Sequence, residues 1–360
     1  MTIKSLYLES IDTFMFRDGR PFNQVDAGAS EASSVFPPWP PSIVGAVRAY
    51  LWRSVLSGQW DESKLGDGTN WQSGATLASL DFGAPLILHH QKPVFPVPLH
   101  VVEGSLNNES EGEGKSFTHL RPSETNFATD LDEVPLPTHE NRALKHVKTL
   151  SDRWLTKEGM KKVLEGKAAE LSEDGDLIAK SYLWSEEARV GIGIDPSTRM
   201  TSDGRLYMAT HIRLNNNVSL AVNLNGWTDT KNQAAPSLQP VAGEHRMGEI
   251  RAEKDPIELP SIDLSERQNT YCLIAISPVV PDPQKGFSIS GLDSEKILSA
   301  CLGKPVSIGG WNSAQKRPIA LRQCIPAGSV WFMKGNPPIN GGKIGLAQKW
   351  GFGQVLVGRN

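Results

Sequence analysis

Glycine and proline cut this chain of 360 residues at short intervals, so no stretch of it sustains one structural period for long. The 33 glycines and 25 prolines together supply about one residue in six. That density favours turns and short strands over long helices. The segments between the cuts have a readable order. "IKSLYLESIDTFMFR" is an extended stretch that stops at the turn signal Asp18-Gly19. In "FPPWPPSIVGAVRAYLW", Pro41 and Ser42 open a helix with Ser42 as N-cap, and Ile43, Val47, Tyr50, Leu51 and Leu56 form its apolar face.

The far end repeats the mixture: "YCLIAISPVV" reads as a buried strand, "DSEKILSACL" as a capped helix, and three extended stretches follow. Strand, helix, strand, strand without regular βαβ alternation predicts an α+β fold. A chain of this length exceeds one hydrophobic core. The expectation is therefore two ferredoxin-like (RRM-like) domains with insertions, at 1–230 and 231–360. The main insertion, at about 100–185, holds the acidic low-complexity run "EGSLNNESEGEGKS" and a small helical patch between His139 and Leu171. In that patch Thr156 caps a helix whose Met160, Val163 and Leu164 face inward. Beyond it, "RVGIGID" and "DGRLYMATHIRL" are strands, with Asp203-Gly204 as a hairpin signal.

Several function classes lack their residues. Glu9 and Asp12 interrupt the run a signal peptide needs, and no apolar stretch is long enough to span a membrane, so a soluble cytoplasmic protein is expected. Cys272, Cys301 and Cys324 are widely spaced without a C-x-x-C, which indicates neither a disulfide framework nor a zinc knuckle. No G-x-S-x-G, H-E-x-x-H, Walker or strand-linked G-x-G-x-x-G motif occurs, so no catalytic residue, metal site or cofactor is assigned. His139 and His146, seven apart, would share a helical face at two turns' separation, too far for one metal without other ligands. Asp130-x-Asp132 reads as a solvated charge run.

Charge distribution is more telling than the net charge of −3. Val101 to Glu140 holds nine acids against Lys115 and Arg121, whereas Cys301 to Asn360 holds eight bases and no acid. One end is built to meet an anion. Candidate contacts are glycine- and arginine-rich stretches beside aromatics. "FRDGRPF" sets Arg17 and Arg20 at a turn bracketed by Phe16 and Phe22, where guanidinium forks can grip phosphates and rings can stack on bases. A hairpin turn with solvated arginines is the alternative. "EEARVGIGID" joins Arg189 to Gly191 and Gly193, which permit close backbone approach or mark a bulged strand. "GEHRMGE" is a weak candidate, and "IGGWNSAQKRP" sets Trp311 near Lys316 and Arg317 as a stacking platform with cations. In the closing "GLAQKWGFGQVLVGRN", only seven residues follow Gly353 and they alternate as a strand. A helix N-terminus is thereby excluded as the anion site. A loop of backbone amides around Gly345, Gly351 and Gly353, flanked by Lys343 and Lys349, can still hold an extended sugar-phosphate chain.

These motifs, in this order and over nearly the whole chain, resemble the third subunit of the Cmr effector complex of type III-B CRISPR systems. That subunit belongs to the RAMP superfamily, Cas-five-like group. The resemblance rests on "FRDGRPF", "FPPWPPSIVGAVRAYLW", "EEARVGIGIDPSTRMTSDGRLY", "IGGWN", "PAGSVWF" and "GFGQVLVG". It implies two ferredoxin-like domains, a β-rich projection, and a non-catalytic RNA-binding role in antiviral defence, gripping the 5′ tag of the CRISPR RNA. The implied partners are the large Cas-ten-like subunit and the backbone subunits, with target RNA nearby. The motifs carry over onto Arg17, Asp18, Gly19, Arg20, Pro21 and Phe22; onto Gly45 and Arg48; onto Arg189, Gly191, Ile192 and Asp195; and onto Gly345, Lys349, Gly351 and Gly353. Gly45 would serve close helix packing, Asp18 would organise its turn, and Arg48 would reach RNA or brace a loop. The histidine of RAMP-type processing ribonucleases has no counterpart here. The alternative is a metal-independent endoribonuclease using a histidine such as His211 as acid/base. A two-domain protein with no RNA role is a third reading.

Overall fold

The computed structural model describes all residues except 1, 19–29, 74, 107–113, 130–131, 140, 142, 196, 229–233, 265–268, 313–314 and 339–340. The fold is α+β, dominated by strands with few helices. Contacts group it into two units, each drawn from three segments. One unit comprises 1–91, 181–256 and 307–322; the other comprises 92–180, 257–306 and 323–360.

In the first unit an antiparallel sheet runs Leu86–His89, Val218–Asn225, Ser5–Ser10, Met247–Glu253, Ser237–Pro240. Leu6 and Leu8 sit at its centre fully buried, as expected where a strand is covered on one face. The helix Pro40–Tyr50 lies against Ser237–Pro240 and buries Ile43, Val44, Val47 and Tyr50. Its N-cap is Trp39 rather than Ser42, because the two prolines take the first helical positions, where a missing N–H costs nothing. Gly45 does not serve packing: a Cβ there would meet nothing within 4 Å. A long ribbon pairs Trp184–Ile194 with Thr201–Leu214. Its reversal is not at Asp203-Gly204, which lies inside the second strand; Asp195 makes it, accepting hydrogen bonds on Oδ1 from Ser197 N (2.7 Å) and Ser197 Oγ (2.6 Å).

In the second unit four antiparallel strands run in the order Ile297–Cys301, Val330–Lys334, Thr270–Ala275, Val355–Arg359. Tyr271, Leu273, Trp331, Met333, Val355 and Val357 form its core. "DSEKILSACL" is not a helix. Asp293 caps only the single 3-10 turn Ser294–Lys296, and Ile297–Cys301 then joins the sheet, since pairing with Val330–Lys334 satisfies more backbone than an isolated short helix could. The helical patch is likewise shorter than expected. Lys157–Leu164 is helical, capped by Thr156 Oγ1 accepting from Gly159 N at 3.1 Å, with Met160, Val163 and Leu164 buried; Gly166, at φ 76°, stops it. The residues before it form the strands Leu144–Thr149 and Arg153–Leu155, so His146 lies on a strand and shares no helical face with His139.

Behind Phe332, His100 is 3% exposed, in edge contact with that ring at 6.0 Å, and its Nδ1 has no hydrogen-bond partner. Burial, aided by the charges of His119 and Arg121, pushes its pKa down to about 3. Folded-state depression means the unfolded chain binds the extra proton, so the stability is present above the unfolded value of 6.5 and is lost as pH falls toward 3. Acidifying from pH 7 to 5.5 should remove about 1 kcal/mol through this group. Urea midpoints measured at both pH values check it, and the loss should shrink in His100→Phe. An undiminished loss in that variant would place the acid sensitivity elsewhere.

Candidate nucleic-acid interface

Three glycines shape the C-terminal loop, and at two of them a Cβ would also meet backbone. Gly345, Gly351 and Gly353 have φ of 80°, 85° and 70°, the left-handed region that side chains resist. A Cβ on Gly353 would stand 1.8 Å from the Ile344 carbonyl oxygen, and one on Gly345 2.7 Å from that of Val280. Buried Ile344, Trp350 and Phe352 anchor the loop from within. The glycine amides are already used: Gly345 N donates to Ser290 O (2.7 Å), Gly353 N to Pro278 O (2.8 Å) and Gly351 N to Gln348 O (3.1 Å). These glycines therefore do not form an amide cradle; they shape the loop, and an anion approaching it meets side chains.

Two lysines flank that loop in different ways. Lys343 Nζ donates to Gln348 O at 3.0 Å while Gln348 Nε2 donates to Gly345 O at 3.0 Å, which ties the loop to itself. Lys349 is exposed at its crest. Beside the loop is a cleft of about 420 Å³ whose floor includes Tyr271, Leu273 and Met333 and whose rim includes Lys296, Asn336 and Lys343.

The other expected contacts lie in the first unit, and each has its own surroundings. Arg20 and Phe22 fall outside the described residues. Arg17 is exposed, on a backbone bridge to Ser34. Arg48 is 7% exposed, with Nε, Nη1 and Nη2 donating to the carbonyls of Leu65, Gly68 and Gly66. Of the two roles open to it, bracing a loop fits this position. Arg189 is held by Asp12 (3.0 Å) and Glu187 (2.7 Å), and Arg213 grips the same two carboxylates at 3.0 and 2.6 Å. The hydrogen bonds from these arginines keep both carboxyls below their usual range. Gly193 sits at a register shift between Ile192 and Ile194, a bulged strand. Trp311 is 62% exposed on the strand Val306–Asn312, and Lys316 and Arg317 are exposed just beyond it. Arg317 Nε donates to Gln315 Oε1 at 2.8 Å.

His211, the candidate acid/base, is interior. Its Nδ1 is 3.0 Å from Thr13 Oγ1 and its Nε2 3.1 Å from Glu244 Oε2, and burial lowers its pKa. Both ring nitrogens are thus engaged away from solvent. Among the described residues no group of three or more His, Cys, Asp or Glu side chains could hold a metal ion. No helix among them is long and apolar enough to cross a membrane. Sequence reasoning missed the Asp12–Glu187–Arg189–Arg213 network, whose members are scattered along the chain. It also missed a turn at Asp282–Ser288, which the "DPQKG" composition signals.

A strand-rich α+β chain with a glycine-shaped loop, exposed cations and an exposed tryptophan has the features of a nucleic-acid-binding protein. More particularly, residues 6–360 match the family model described as CRISPR-associated protein (Cas_Cmr3), and the chain belongs to that family. The resemblance read from the motifs is thereby confirmed. Two solved structures share the fold. One is a chain of a type III-B Cmr-beta complex bound to cognate target RNA and AMPPnP, at 15% identity and TM-score 0.50, covering 91% of this chain and 86% of that one. The other is from the same kind of complex bound to cognate target RNA, at 18% identity and TM-score 0.50 with the same coverage of 91% and 86%. No curated protein matches the chain.

Proposed function

We propose that this protein is a non-catalytic RNA-binding subunit of a cytoplasmic type III-B CRISPR effector complex, holding the 5′ tag of the CRISPR RNA and bridging the large subunit and the backbone subunits. Family membership supports the setting. The observation that carries the binding role is the last sixty residues, with eight bases and no acid: Lys316, Arg317 and Arg322 belong to the first unit, and the other five to the second, whose glycine loop leaves Lys349 exposed. Affinity for a phosphate chain comes from such local cations rather than from net charge. The same reading includes two ferredoxin-like domains, supported by a central antiparallel sheet in each unit with a helix against it. Binding rather than cleavage is favoured by the enclosure of His211 between Thr13 and Glu244.

Lys349→Glu should weaken retention of the guide's 5′ end roughly tenfold at physiological salt and lower the salt slope of binding by about one. Protection of 5′-labelled guide RNA in the assembled complex, measured across a salt series, reads both effects. Unchanged protection and slope would remove Lys349 from the interface. Absence of any salt-sensitive guide binding by the wild-type assembly would remove the proposal itself.

A further inference from the structure

One large hydrophobic side chain among the described residues is both exposed and held at positive φ. Phe287 is 63% exposed with φ at 60°, a region in which a bulky L-residue is a true outlier. Its turn is nonetheless fixed. Ser288 N donates to Lys285 O (3.2 Å), Phe287 N to Asp282 O (2.9 Å) and Asp282 N to Ser288 O (2.8 Å), with Gly286 also left-handed at φ 62°. The Asp282 carboxylate caps the turn, accepting from Gln284 N at 3.0 Å. This turn shares its base with the glycine-shaped loop: Leu346 N donates to Val280 O (2.8 Å), and Gly345 N to Ser290 O (2.7 Å).

We propose that Phe287 is a stacking post for an unpaired nucleobase of the RNA held by the adjacent loop. This rests on the RNA-binding reading above and deepens it by assigning a base contact beside the phosphate contact of Lys349. A strained backbone position whose ring is left exposed rather than packed points to a role for that side chain. The surroundings choose the ligand. Its neighbours in the turn, Gln284, Lys285 and Ser288, are exposed and polar or cationic, a setting unlike the broad apolar patch a protein partner would need. A single ring with cations nearby suits a base in a sugar-phosphate chain, and stacking is tolerant of which base it is.

The test uses the full assembly and single-stranded guide RNAs carrying 2-aminopurine at successive 5′ positions. Wild-type protein should quench the probe at one position. Phe287→Asn keeps a residue suited to the left-handed turn, so folding should be retained or improved while that quench is lost and RNA is held about tenfold more weakly. Phe287→Trp should restore the quench. Undiminished quenching and affinity in Phe287→Asn, with wild-type binding intact, would overturn the stacking role and leave the RNA-binding reading standing. Loss of subunit assembly instead of quenching would overturn it in favour of a protein contact. Failure of wild-type protein to hold the RNA would overturn both.

Discussion

Replacing Arg48 by Met should destabilise the chain by about 3 to 5 kcal/mol, a loss seen as a lower urea midpoint. Arg48 is charged at neutral pH even though burial pushes its pKa down to about 10. Its guanidinium donates to the carbonyls of Leu65, Gly66 and Gly68, at 3.3, 3.0 and 3.1 Å. It also lies 5.2 Å from the centroid of the Trp60 ring. Met fills the stem but leaves those oxygens without this donor, and an unmet buried acceptor costs more than a made hydrogen bond gains. Lys should not rescue, because one ammonium cannot reproduce the planar fork that spans three separated carbonyls. The loop has been shaped around the guanidinium: a Cβ on Gly68 would fall 1.9 Å from Nη1. Guide-RNA protection per folded molecule should stay at the wild-type level. A variant with an unchanged midpoint and weakened RNA binding would show instead that Arg48 serves the RNA directly.

Arg48 also shows how far the sequence could be read. The helix was legible from Ile43, Val47 and Tyr50 at helical spacing, and the terminal strand Val355–Arg359 from alternation in the last seven residues. Which way Arg48 points was not legible, since its acceptors lie 17 to 20 residues away in the polar, glycine-containing stretch "DESKLGDGTN". The same limit applies at Arg189, whose carboxylate Asp12 is 177 residues distant. Local signals failed where tertiary pairing outweighed them. Asp293 and the apolar residues after it describe a helix start well enough, yet the strand Val330–Lys334 offers Ile297–Cys301 a ladder, and the ladder wins. Glycines were legible as glycines, but their reason was not. Gly45 lies open where packing was expected, while Gly353 is locked in a left-handed conformation against a carbonyl.

That contrast makes the glycine loop testable position by position. Gly353→Val should cost about 3 kcal/mol or more, because a β-branched residue at φ 70° carries the left-handed penalty and its Cβ would lie 1.8 Å from the Ile344 carbonyl oxygen. Relief requires the rung in which Ile344 N donates to Gly353 O at 2.9 Å to open, and with it the turn that presents Lys349. RNA protection should therefore fall together with the unfolding midpoint. Gly342→Ala is the control: a Cβ there meets nothing within 4 Å and its φ lies outside the left-handed region, so the midpoint should not drop. If the glycines serve by letting RNA approach the bare backbone, Gly342→Ala should weaken guide binding with no loss of stability. If they serve by shaping the loop, as the internal bonds of Gly345, Gly351 and Gly353 require, Gly342→Ala should be silent in both measurements and only the left-handed positions should matter. Urea midpoints and guide protection measured on the same two variants separate a loop built for its own conformation from one built for backbone contact.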